Sequence, residues 1–212
     1  MQPNSAAAFF ELIDASPDER AAIAAIDVVF METAAHTNLV AGSTLPERWF
    51  RHYADSAQLW PLIPKNARSL LDIGAGGGFP GLILGTFAEF RRPDLRCTLC
   101  ESIQKKAAFL REAAKAGGLS RTSIAAVRVE ALPKAPHFDV ITARAVTALP
   151  KLLDLAVPKL SESGTLLFPK GRRAQQELDQ AREQWSLEVE MVPSATDPDA
   201  SILVIRSPKR IL

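Results

Sequence analysis

The sequence predicts an α/β fold: a mostly parallel sheet with helices on both faces, closed by a C-terminal antiparallel hairpin and preceded by an N-terminal helical extension. Three observations predict it. Between Ser69 and Gln184, apolar runs of strand length alternate with helical patterns, the signature of a parallel sheet built from strand–helix units. The first of those strands ends in Asp72-Ile73 and opens onto Gly74-Ala75-Gly76-Gly77-Gly78-Phe79-Pro80-Gly81, a loop bare enough for a ligand to touch backbone. At the end of the chain, Trp185–Val192 and Ser201–Arg206 are separated only by the polar stretch Pro193–Ala200, which is too short for a crossover helix, so these two strands must be antiparallel.

Taken in order, Ser16-Pro17-Asp18-Glu19 is a capping box with Pro at the first helical position, and apolar residues keep helical spacing from Pro17 to about Ala35. Asn38 to Thr44 is a polar break, and Thr44-Leu45-Pro46-Glu47 predicts a second helix reaching about Trp60. Pro61 to Asn66 is a turn-rich junction, placing a boundary between residues 1–66, the helical extension, and 67–212, the sheet domain. The strand Ser69–Ile73 leads into a helix from about Phe79 to Phe90, with Pro80 in its first turn. Leu95–Cys100 is the second strand, and Ile103–Ala116 the next helix, with Ser102 as N-cap and Gly117-Gly118 as stop. Then follow strand Ser123–Val129, strand Phe138–Ala143, helix Thr147–Leu160, strand Thr165–Pro169 and helix Arg172–Gln184.

The chain has 212 residues, 47% of them apolar, enough for one α/β core with an appendage and too apolar for a disordered class. No run is long enough to cross a bilayer, and Met1 to Phe10 lacks the basic and apolar regions of a signal peptide, which predicts a cytoplasmic protein with no membrane partner. Cys97 and Cys100 lie in one strand, three apart and so on opposite faces; with no second Cys/His pair, they read as buried thiols, and no metal site is predicted. The net charge of +1 is unevenly spread: residues 1–66 carry four basic and eight acidic side chains, residues 67–212 carry 21 and 16. That permits a basic face on the larger part, or an ordinary solvated surface.

The glycine loop reads in two registers. Gly74-x-Gly76-x-Gly78 after Asp72 fits an S-adenosylmethionine (SAM) methyltransferase, whereas Gly76-x-Gly78-x-x-Gly81 fits an NAD(P)-binding oxidoreductase; a catalytically silent nucleotide-binding protein is the third reading. The terminal antiparallel hairpin favours the first. Glu101, at the end of the second strand, is placed to accept two ribose hydroxyls, and Arg144, at the end of the fourth, faces the crevice where open sheets bind ligands. Lys170, Arg172 and Arg173 are candidates to clamp RNA phosphates, or are solvated, and Lys105, Lys106, Arg111 and Lys115 share one helix face. His52, Asp55 and Ser56 contain the residue types of a hydrolase triad, but their spacing on one helix cannot give its geometry; the stretch reads as a docking face or one that meets substrate. Trp49, Tyr53 and Trp60 at helical spacing read as core, with base stacking as the alternative.

His52-Tyr53-Ala54-Asp55-Ser56, the segment from Asp72 to Gly81, Glu101-Ser102-Ile103-Gln104-Lys105-Lys106-Ala107-Ala108-Phe109-Leu110, Phe138 to Val146 and Pro169-Lys170-Gly171 together resemble the glucose-inhibited division protein B family of bacterial small-subunit rRNA 7-methylguanosine methyltransferases. The resemblance implies a Rossmann-like class I SAM-dependent methyltransferase acting on N7 of a guanosine in 16S rRNA or the assembled small subunit; a monomer is expected. It also implies that Gly74, Phe79, Val129, Glu130 and Arg144 contact SAM, and it brings His52 among the substrate candidates. The chain departs from the family at Ala75-Gly76-Gly77, where Ser-Gly-Ala is commoner, and in a slightly longer stretch from Phe87 to Arg92. Guanine N7 carries a free lone pair at neutral pH, so no general base is assigned and positioning is expected to do most of the catalysis.

Overall fold

The computed structural model describes residues 4–133, 135 and 137–211; the first three residues of the extension and the last residue of the sheet domain lie outside them. Seven strands form one sheet: β1 (Ser69–Ile73), β2 (Arg96–Cys100), β3 (Thr122–Ala125), β4 (Phe138–Ala143), β5 (Leu160–Lys170), β6 (Trp185–Pro193) and β7 (Ser201–Arg210). Their spatial order is β3-β2-β1-β4-β5-β7-β6. The first five are parallel, and β7 runs antiparallel to both β5 and β6, as the short Pro193–Ala200 connection requires. The helices between them are α4 (Gly81–Arg91), α5 (Gln104–Ala116), α6 (Leu149–Ala156) and α7 (Ala174–Arg182), with α1 (Ala6–Leu12), α2 (Pro17–Ala34) and the short α3 (Asp55–Ala57) before the sheet.

Side chains alternate across the strands, so one sequence feeds two cores. Leu70, Cys97, Leu99, Val140 and Leu167 face the layer of α4 and α5, which α1 and α2 thicken with Phe9, Ile26 and Phe30. Leu71, Ile73, Cys100, Ile141 and Phe168 face α6 and α7 on the other side. The two cysteines are free, buried and on opposite faces, as their spacing predicts.

The extension is fastened by polar groups as well as by apolar burial. Ser16 and Glu19 form the predicted capping box, and Glu19 also pairs with Arg91 at the end of α4, so the start of α2 is tied to the sheet layer. Asp27 accepts from Arg48 Nε at 2.8 Å and from the hydroxyl of the fully buried Tyr53 at 2.9 Å. Trp49 and Tyr53 are core residues, buried with Phe9.

Local expectations fail in several places. The helix predicted from Thr44 to Trp60 is a mosaic: a 3-10 turn at Gly42–Thr44, a π-helical segment at Trp49–Ala54, and then α3. Thr44 does not cap it; its hydroxyl donates to the Ala41 carbonyl and meets the His52 ring. Ser102 does not cap α5: the helix starts one residue later, with Ile103 at the cap position and no side-chain cap, while the Ile103 N–H goes to the Glu101 carboxylate at 2.7 Å. The third strand stops at Ala125, and Val129 lies in a 3-10 turn, while the helix before β5 ends at Ala156 and β5 begins at Leu160. Helix α1, capped by Ser5, lacks the Pro and Glu that complete the start signal of α2.

Asp72 joins the sheet to α4. Its side chain is wholly buried; Oδ1 accepts from the Thr142 hydroxyl at 2.9 Å and Oδ2 from the Gly81 N–H at 3.0 Å. A Cβ at Gly81 would lie 2.6 Å from Asp72 Oδ2 and 2.7 Å from Leu99 Cγ, so the helix approaches β1 this closely only without a side chain there. Gly81→Ala should therefore destabilise the fold by about 1–3 kcal/mol through overpacking. Urea unfolding tests this; an unchanged midpoint would contradict the account.

Candidate active site

The carboxyl ends of β1, β2, β4 and β5 open into a cleft of about 1110 Å³, roofed by the extension on one side and by the β6–β7 turn on another. Its floor is the glycine loop. Gly74 and Ala75 donate to the Cys100 carbonyl, which seats the loop on the end of β2, and Gly74 adopts a left-handed φ of 67°. A Cβ at Gly77 would meet the Leu39 carbonyl oxygen at 2.9 Å, so the extension presses directly on the loop. Glu101 is buried with its carboxylate bridging Gly76 N–H at 2.9 Å and Ile103 N–H at 2.7 Å. Each oxygen keeps a free lone pair.

Arg144, at the end of β4, is held by three acceptors: the Arg51 carbonyl at 3.0 Å, Asp55 Oδ2 at 3.0 Å and His52 Nδ1 at 3.2 Å. A guanidinium cannot accept, so His52 Nδ1 must be the bare nitrogen and Nε2 carries the proton. Nε2 then donates to Thr44 Oγ1 at 2.8 Å, which in turn donates to the Ala41 carbonyl at 2.6 Å. The chain of donors runs one way, from Arg144 to Ala41. Burial, then the charges of Arg144 and Arg51, depress the His52 pKa from 6.5 to about 3, so the ring is neutral. Phe79 completes the cluster: His52 stacks on its ring at 5.2 Å, Arg144 lies 5.5 Å from its centroid, and Phe30 and Tyr53 meet its edges.

Asp55 carries the network to the far wall. Its Oδ1 accepts from Gln58 Nε2 at 2.8 Å and from the Thr196 hydroxyl at 2.7 Å, which anchors the β6–β7 turn to the extension. Opposite, Lys170 is largely buried and bonds the Thr147 carbonyl and Glu177 Oε2, both at 2.9 Å; Glu177 also takes the Leu149 N–H at the start of α6.

Of the residues the sequence singles out, Gly74, Phe79, Glu101 and Arg144 share this cleft with His52, Lys170 and Arg173. Val129 is turned into the core beneath α6, Glu130 is exposed beside it, and Arg172 is exposed; none of these three lines the cleft. Lys106 does line it, while Lys105, Arg111 and Lys115 face solvent. His52, Asp55 and Ser56 form no triad: the Ser56 hydroxyl donates to the His52 carbonyl, and Asp55 serves Arg144. Sequence reasoning did not connect Thr44, Asp55 and Thr196, whose separation along the chain leaves no local pattern; the polar composition of residues 194–199 was the one available hint.

Two buried groups titrate in opposite senses. Burial pushes Asp72 from 3.8 up to about 7, against its hydrogen bonds from Thr142 and Gly81. The folded state then binds more protons than the unfolded one in this window, so the Asp72 contribution is complete below about pH 3.8 and is lost as pH rises through about 7. His52 does the reverse: its contribution is complete above pH 6.5 and is lost as pH falls towards about 3. Compared with the wild type between these limits, the stability of Asp72→Asn should rise more steeply with pH, and that of His52→Gln less steeply. Urea midpoints over a pH series measure both; three parallel profiles would contradict the assignments.

The family described as GidB, rRNA small subunit methyltransferase G, matches residues 26–203. The chain is 46% identical over 170 residues to the Ribosomal RNA small subunit methyltransferase G of Cereibacter sphaeroides, covering 80% of this chain and 82% of that one. It is 48% identical over 166 residues to the protein of the same name from Rhodospirillum centenum, covering 78% and 74%. Among solved structures, the N-methyltransferase NodS of Bradyrhizobium japonicum in complex with S-adenosyl-L-homocysteine superposes with a TM-score of 0.57 at 18% identity, over 85% of this chain and 99% of that one. An O-methyltransferase from Bacillus cereus gives 0.57 at 15% identity, over 86% and 90%. At those identities the structures establish the methyltransferase fold, and the extent of the sequence matches establishes the rest: the chain belongs to the rRNA small subunit methyltransferase G family.

Proposed function

We infer that the protein is a SAM-dependent methyltransferase that modifies N7 of a guanosine in small-subunit ribosomal RNA, working as a cytoplasmic monomer with residues 1–66 as an extension of the catalytic domain. The observation that carries the cofactor assignment is Glu101: a buried carboxylate at the end of β2, fixed by two backbone N–H groups and still able to accept from a ribose diol beside the bare glycine loop. The Gly76 N–H that could meet a dinucleotide's pyrophosphate is instead taken by the Glu101 carboxylate, which suits a nucleoside with no phosphate. Gly74, Phe79 and Arg144 would complete the cofactor's surroundings. From their positions outside the cleft lining, Val129 and Glu130 would act at its margin. When bound, SAM supplies a methyl group activated by a sulfonium.

The chain's own contribution is positioning and charge placement. N7 needs no deprotonation. His52 is also unsuited to accept a proton, because Nδ1 already accepts from Arg144 and its pKa is depressed to about 3. Its role is to orient the guanidinium. Lys170, committed to Glu177 and Thr147, holds the loop after β4 and has little charge to spare for phosphate, which leaves Arg173, Arg51 and Lys106 as the cleft's basic contacts for RNA.

Mapping 7-methylguanosine in small-subunit rRNA from cells with and without the protein tests the reading; a map that does not change would refute it. Glu101→Ala should weaken SAM binding about ten- to a hundredfold, the loss of a hydrogen bond to a charged acceptor, and calorimetry on the folded variant checks this. Single-turnover methylation should be nearly flat across neutral pH, and a rising limb near neutrality would reveal a base the present mechanism lacks.

A further inference from the structure

Four carboxylates line the cleft, and three are committed. Asp55 holds Arg144, Gln58 and Thr196, Glu101 holds two backbone N–H groups, and Glu177 holds Lys170 and the start of α6. The fourth, Asp197, is exposed on the β6–β7 turn, and among the described residues its carboxylate has one partner, the Asp199 N–H at 2.9 Å. A carboxylate at the rim of a cleft lined by Arg51, Lys106 and Arg173 repels the RNA those residues attract, unless it receives hydrogen bonds from the RNA itself.

Resting on the reading above, we propose that Asp197 reads the target base, its carboxylate accepting from N1–H and the N2 amino group of guanine. Guanine is the one standard RNA base whose pairing edge offers two adjacent donors, and base-modifying enzymes read an extruded base on that edge. The edge lies across the ring from N7, so a guanine with N7 turned to the cleft floor presents N1 and N2 towards the mouth, where Asp197 stands. The fold places the turn there: Ser201 pairs with Lys170, which puts residues 194–200 at the carboxyl edge of the parallel strands, on the cleft that Arg144 also lines. The turn is rigid. Thr196 is bonded to Asp55 at 2.7 Å, the Ala195 N–H to Gln58 Oε1 at 2.8 Å, and the Ala200 N–H to the Asp197 carbonyl at 3.0 Å. The residue is thereby held one position from the network that orients Arg144.

The test is a double-mutant cycle between protein and RNA. Small-subunit rRNA is prepared with guanosine or inosine at the methylated position, inosine lacking only the N2 amino group, and RNA affinity and single-turnover methylation are measured for wild type and Asp197→Asn. For wild type, inosine should cost about five- to a hundredfold. Asp197→Asn should lose a similar factor on guanosine and be nearly indifferent to the exchange. S-adenosylhomocysteine affinity and the urea midpoint should not move, since the side chain is exposed and outside the cofactor's surroundings. An equal inosine penalty in both proteins, or tighter RNA binding with undiminished methylation in Asp197→Asn, would overturn the proposal by showing the carboxylate to be merely repulsive. Wild type failing to methylate the guanosine RNA would instead refute the underlying function, and the cycle tells the two failures apart.

Discussion

A guanidinium that is largely shielded from water must be surrounded by acceptors, and the site is built around meeting that need for Arg144. The Arg51 carbonyl, the Asp55 carboxylate and the His52 imidazole all come from one short segment before the sheet, so a single residue at the end of β4 fixes the extension against the catalytic face. The same requirement dictates the state of His52. An imidazolium at this buried position would add a third cation beside Arg144 and the exposed Arg51; a neutral ring turned with Nδ1 inward avoids it and supplies an acceptor. The π-helical turn at Trp49–Ala54 belongs to this arrangement, in keeping with the tendency of such turns to occur at functional sites.

Phe79 links that polar cluster to the glycine loop. Its ring is covered by His52 and Arg144 and met by Phe30 and Tyr53, so the loop residue sits inside a shell supplied mostly by the extension. Together with the close approach of Gly77 to Leu39, this makes the cofactor floor and the N-terminal helices one packed unit, with the core of α4 and α5 continuous through Phe30 and Phe109. Asp55 extends the unit to the β6–β7 turn, so both walls of the cleft answer to the same few side chains.

Much of the fold was legible because its signals are periodic or local. Apolar runs of strand length between helical patterns revealed the strands, the capping box of Ser16 and Glu19 revealed α2, and the short Pro193–Ala200 connection revealed the antiparallel hairpin. The segment from Thr44 to Trp60 misled because helical spacing does not distinguish α from π or 3-10 turns, and the deciding contacts come from Arg144, 92 positions from His52 in the chain. Ser102 misled because α5 begins one residue later than the cap signal implies, with Ile103 at the cap position and its N–H tied to Glu101. In the site, Glu101 and Arg144 were legible as polar residues at strand ends, where the fold itself aims them at the crevice. The committed state of Lys170 was not, since its partner Glu177 lies in the next helix and only packing brings them together.

The central claim is that His52 is a neutral acceptor for Arg144, and nitrogen NMR of the imidazole rings addresses it most directly. With His52 assigned by the signal missing in His52→Gln, the account predicts a ring that stays neutral from pH 8 down to about pH 4, with Nε2 protonated and Nδ1 bare. A His52 ring that titrates near its ordinary value of 6.5, or that carries its proton on Nδ1, would contradict it.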